Sequence, residues 1–146
     1  MMVVGIQYNA ELVQEMIDDH RALLGVYGDL VKLVDAEDGL NFKLTLVKFK
    51  SMLVAHLLKE AVKLYIYLRQ KLKGDEGVYH LVTSYKSEMD GISRVAMSFV
   101  DEYSAKSIVE IDFLQLSIRL REIGLVLGDR IRREEMELYP LYHDFY

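Results

Sequence analysis

The chain has 146 residues, 51% of them hydrophobic and 28% charged, which suffices for one core and falls short of two. The absence of cysteine excludes a disulfide scaffold, a zinc ribbon, an iron–sulfur cluster and a thiol nucleophile, so any metal must be held by His, Asp, Glu or Tyr. A net charge of -5 argues against direct nucleic-acid binding and suits a basic protein partner.

Turn-forming residues are sparse and divide the chain into four amphipathic segments with apolar residues every three or four positions. The first is predicted from Asn9, as N-cap, to Val34, with Val13, Met16, His20, Leu23, Tyr27, Leu30 and Val34 inward. After Asp35-Ala36-Glu37-Asp38-Gly39, the second runs from about Leu40 to Lys73 and stops at Gly74, a natural C′ residue. Its stripe reads Leu46, Phe49, Leu53, His56, Glu60, Leu64, Tyr67. The third covers Val78 to Tyr103, with Leu81, Tyr85, Met89, Ala96 and Phe99 among its inward residues. The fourth opens on a capping box, Ser107-Ile108-Val109-Glu110, and continues to Tyr139, where Pro140 ends it. Leu116, Leu120, Leu127, Arg130, Glu134 and Leu138 lie on its inner stripe. Short connections force neighbours antiparallel, so the expected architecture is all-α: one domain over residues 1–146, an up-down-up-down four-helix bundle.

Five polar residues fall where the period demands core: His20, His56, Glu60, Arg130 and Glu134. Burying such groups costs several kcal/mol unless they find partners. His20 and His56 lie at similar distances from the first turn, about 25 Å at 1.5 Å per residue. His56 and Glu60, spaced i, i+4, share one face. These three can converge on one metal ion, with Met89 near their level, or form a hydrogen-bonded core cluster. Arg130 overshoots that level by a couple of turns and reads, with Glu134, as an ion pair in a polar core network. His80 reads as a rim residue, and His143 as part of the tail.

Tyrosines Tyr65, Tyr67, Tyr139, Tyr142 and Tyr146 cluster at the ends of the second and fourth segments. They read either as packing residues or as an aromatic surface for a partner, with self-association as one outcome. No phosphate loop, Gly-x-Ser-x-Gly element or triad is present, so no enzymatic activity is expected. The first ten residues lack a signal-peptide pattern, and no apolar run reaches the roughly 18 residues of a membrane span. A cytoplasmic protein, not bound to membranes, is expected.

At these residues the chain resembles the hemerythrin-like (HHE) four-helix bundles. His20 in DDHRALL matches an early histidine, and His56-Leu-Leu-Lys-Glu60 followed by KLYIYL matches a His-x-x-x-Glu motif. Arg130-Ile-Arg-Arg-Glu134 before ELYP matches a second such motif with arginine in place of histidine, and Met89 stands at a third-helix histidine position. The resemblance implies an iron site, mono- or dinuclear, using His20, His56, Glu60 and Glu134 and binding oxygen or nitric oxide. Leu23 to Val31, Phe49 to Tyr65 and Leu120 to Tyr139 are also similar to the metal-free regulator-of-sigma-D (Rsd/AlgQ) family. That likeness implies an anti-sigma factor without cofactor, sequestering the DNA-binding region of the primary sigma factor through Tyr65, Tyr67, Tyr139 and Tyr142. The arginine favours this second reading, and the iron protein is the alternative.

Overall fold

A computed structural model describes residues 8–144; the side chain of His143 and all of Tyr146 lie outside what is described. Every regular element among the described residues is helical, and together they form four rods. Rod one is α1 (Leu12–Asp35). Rod two is α2 (Gly39–Lys59), a π-helical turn over Glu60–Tyr65, and α3 (Ile66–Lys71). Rod three is α4 (Glu76–Ala105). Rod four is α5 (Phe113–Arg133), a second π-turn over Glu134–Leu138, and α6 (Tyr139–Asp144). In cross-section α1 packs on α2 and α5, and α4 packs on the same two, which is the up-down-up-down bundle the sequence predicts. No helix among the described residues is long and apolar enough to cross a membrane.

The helix ends follow local chemistry. Asn9 caps only a preceding turn, accepting from the Glu11 amide at 2.9 Å, so α1 begins at Leu12. That helix closes with paired bonds from Glu37 N–H to Val34 O and from Asp38 N–H to Leu33 O, and Glu37 takes the left-handed conformation at φ 52°. Asp38 and Asp75 cap α2 and α4 through the Asn41 and Val78 amides. Gly74 does not adopt positive φ, so the expected glycine C′ cap is not used.

Two expectations at the fourth rod need correction. Ser107–Glu110 does not open the long helix: Ile108–Glu110 is a single 3₁₀ turn, and α5 starts at Phe113 with Asp112 accepting from the Leu114 and Gln115 amides. The connection is therefore longer than expected, and this brings Arg130 to the level of His20. Pro140 does not end the rod either. It is the second residue of α6, where a missing N–H is tolerated in the first turn after the π-turn.

The interior consists of two apolar cores. One, around Leu30, Phe42, Leu46, Phe99 and Leu116, fills the end near the first turn. The other, around Leu12, Met16, Leu64, Tyr67, Leu68, Leu138 and Tyr142, fills the opposite end. Complete burial of each such side chain stabilises the fold by about 1.5–3 kcal/mol. Leu81 faces outward and its neighbour Val82 takes the core position. Tyr27 on α1 donates to Leu120 O on α5 at 2.9 Å, and its ring lies directly over Gly124. A β-carbon at residue 124 would fall inside the Tyr27 hydroxyl. Gly124→Ala is therefore expected to destabilise by about 1–3 kcal/mol through overpacking, although alanine is the better helix former. An unchanged urea midpoint would show that Tyr27 moves aside freely.

Candidate metal centre

All five polar stripe residues are buried, each no more than 4% exposed, and they meet in a layer between the two cores. His20 comes from α1, His56 from the end of α2, and Arg130 from the end of α5. Glu60 and Glu134 each occupy the first position of a π-turn. The π-turns determine what else reaches the layer. With i→i+5 bonding, the residue five positions on stays close to the same face, whereas a regular α-helix turns it away. Tyr65 follows Glu60, and Tyr139 follows Glu134, at that interval. Both hydroxyls point into the layer: Tyr65 accepts from Arg130 Nη2 at 2.7 Å, and Tyr139 donates to Glu60 Oε1 at 2.8 Å.

One donor atom from each of His20, His56, Glu60 and Glu134 lies within 4.8 Å of the others. His20 Nε2 is 3.0 Å from Glu134 Oε1 and 4.0 Å from Glu60 Oε1. His56 Nε2 is 2.7 Å from Glu60 Oε1, yet out of line for a hydrogen bond, so it has no hydrogen-bond partner; neither has Glu60 Oε2. The outer nitrogens are tied down. His20 Nδ1 is 2.8 Å from Glu135 Oε2, and His56 Nδ1 is 3.0 Å from Asp19 Oδ2, which Lys59 also holds at 2.9 Å. An ionised outer carboxylate takes only a donor, so each Nδ1 holds a proton, and when the ring is neutral its Nε2 presents a lone pair inward.

The layer's charges are unevenly matched. Burial favours neutral carboxyls at both glutamates, but His20 and Arg130 hold Glu134 below its ordinary range, while Glu60, facing Glu134, is raised. Burial opposes charge on His56 too, yet Glu60, Asp19 and Glu134 raise it on balance. Burial and the two glutamates push the Tyr139 phenol up. Protons and any cation would thus compete for one set of atoms.

Arg130 is fixed on several sides. Its Nε donates to Glu134 Oε2 at 3.1 Å, Nη1 reaches Glu88 at 3.4 Å, and the guanidinium lies 4.7 Å from the centre of the Tyr85 ring. Glu88 is also bound by Arg133. An apolar cavity of about 30 Å³ adjoins the layer, with Leu23, Phe49, Leu53, Met89 and Leu127 facing His20, His56 and Arg130. It has room for a water or a diatomic molecule.

A model of the hemerythrin HHE cation-binding domain matches residues 11–142. The chain belongs to that family. Searches of curated proteins and of solved structures give no significant match. Family membership and the His/Glu cluster fit hemerythrin-like metal binding and do not fit the expectation that no cofactor is used. The donor set suits a cation on its own chemistry: two imidazole nitrogens, two carboxylates and buried polar atoms without partners.

The tyrosine surface needs a further correction. Tyr65, Tyr67, Tyr139 and Tyr142 are at most 2% exposed. Tyr67 and Tyr142 pack edge to face with ring centres 4.9 Å apart inside the second core, and Tyr8 stacks on Tyr142 at 4.8 Å. Aromatic area at these rod ends closes the core of the chain itself. Sequence reasoning missed Asp19 and Glu135, and the signal for both was thin: each is one half-exposed acid directly beside a better candidate. His80 is exposed, as expected.

Proposed function

We propose that this HHE-family protein binds one divalent transition-metal cation, iron being the first candidate, through His20, His56, Glu60 and Glu134. The observation that carries this reading is the orientation of the two imidazoles: both aim Nε2 at the paired glutamates, and both have Nδ1 anchored by an outer carboxylate. Arg130 supports a count of one. Its Nε takes Glu134 Oε2, leaving Oε1 for the metal. A second divalent ion beside a fixed guanidinium would leave several uncompensated positive charges in a buried layer. A metal here supplies a Lewis-acidic, redox-capable centre beside the apolar cavity, which suits capture of oxygen or nitric oxide. The protein's own groups orient the ligands, exclude bulk water and balance charge; the role is binding rather than turnover.

The sigma-sequestering reading drew on the likeness over Leu23 to Val31, Phe49 to Tyr65 and above all Leu120 to Tyr139, on Met89 and Arg130 at histidine positions, and on a tyrosine contact surface. Burial of those tyrosines removes the last of these supports, and the family match supports cation binding. The deciding experiment is elemental analysis of protein expressed in iron-supplemented medium and purified without chelator. One metal per chain is expected in the parent protein, with loss in a His20→Ala/His56→Ala double variant. A folded, metal-free parent that also takes up no added Fe(II), Mn(II) or Zn(II) would overturn the reading.

A further inference from the structure

We infer that Tyr139 is itself a metal ligand, adding a phenolate oxygen to the two imidazoles and two carboxylates. The inference rests on the one-cation reading above and goes beyond it in naming the fifth donor.

The first argument is a proton count. The Tyr139 hydroxyl has one hydrogen, which it gives to Glu60 Oε1 at 2.8 Å. It also stands 3.1 Å from His20 Nε2 and 3.4 Å from Glu134 Oε1. With its proton on Nδ1, towards Glu135, His20 presents a lone pair at Nε2; Nε2 and Glu134 Oε1 are only 3.0 Å apart, so either a shared proton or a cation must lie with that pair. Three potential metal donors thus surround the Tyr139 oxygen. Its counterpart Tyr65, at the same position after the other π-turn, meets a guanidinium N–H and is satisfied by it. The two tyrosines occupy matching places on their rods with opposite surroundings: a guanidinium at Tyr65, an imidazole and two carboxyl groups at Tyr139.

The second argument is geometric. Donors that would share one metal at about 2.1 Å stand roughly 3–3.5 Å apart. The Tyr139 oxygen lies 2.8, 3.1 and 3.4 Å from donors of three other residues, each separation close to that between adjacent ligands. The hydroxyl is therefore one corner of the donor polyhedron. The ring is held there by near-parallel packing on the His20 imidazole, 14° between planes, and the residue is 1% exposed. On binding, the phenol O–H bond breaks as the oxygen–metal bond forms, and the proton is released to solvent.

The test is spectroscopic. Protein loaded with one equivalent of Fe(II) and oxidised with ferricyanide is expected to show a visible phenolate-to-iron charge-transfer band, with phenolate ring modes in resonance Raman excited into it. Tyr139→Phe is expected to keep one iron per chain and lose the band. Tyr65→Phe is expected to keep both. Iron bound at one per chain without the band in the parent protein, or with the band surviving in Tyr139→Phe, overturns the inference and leaves the one-cation reading intact. A parent protein that binds no iron overturns both. Should Tyr139→Phe fail to fold, the parent and Tyr65→Phe spectra decide: phenolate modes in both support Tyr139, whose hydroxyl lies against three of the donors, and their absence from either overturns it.

Discussion

Replacing Arg130 with alanine is expected to lower stability by about 3–5 kcal/mol, the usual cost of removing one member of a buried ion pair. Glu134 would be left against Glu60 with its compensating guanidinium gone, the Tyr65 hydroxyl would lose its donor, and the Tyr85 ring the nearer of its two cations. The sign of the pH dependence follows from Glu134. Its depressed pKa means that the pairing contributes stability above the ordinary carboxylate range and loses it as pH falls through the folded value. The gap between parent and Arg130→Ala should therefore narrow in acid. Urea unfolding at neutral and acid pH, with chelator present, measures both quantities. Equal midpoints at neutral pH would mean that the observed pairing contributes nothing.

Metal is expected to raise the unfolding temperature strongly, and chelator to reverse the rise. At free metal 100-fold above Kd the gain is about 2.7 kcal/mol, or roughly 5–10 °C for a domain of this size. The effect should vanish in His56→Ala, which removes a nitrogen that no other described group can replace. Thermal scans with Mn(II) or Zn(II), followed by excess chelator, provide the measurement. A midpoint indifferent to both additions, at metal concentrations up to millimolar, would contradict a site built from these residues.

The rods and all five buried polar residues were legible because an α-helical period places His20, His56, Glu60, Arg130 and Glu134 on inward stripes without any knowledge of their partners. What the period hid was its own interruption. Regular 3.6-residue spacing carries no sign of a π-turn, so Tyr139 read as a terminal residue when the widened turn aims it at Glu60. The same blindness made Pro140 a stop. The level of Arg130 was misjudged because Ser107 and Glu110 satisfy the capping-box pattern, while the helix starts at Asp112, which caps with its own carboxylate. For the tyrosines, composition could not separate an exposed aromatic surface from a core that happens to be aromatic. Only the packing of Tyr8, Tyr67 and Tyr142 on one another settles which it is.

The polar layer also has a topological consequence. Its four donors come from three of the four rods, and the contributions of those rods are distant in sequence although close in space. A cation held by them closes one loop from residue 20 to residue 56 and another from residue 60 to residue 134. That is the work a disulfide does in an oxidised protein: long loops are closed, and separation of the strung-together parts is penalised in proportion to the logarithm of their length. In a chain without cysteine, such an ion would be a reversible cross-link, and metal supply would become a control on how firmly the two apolar ends of the bundle are fastened together.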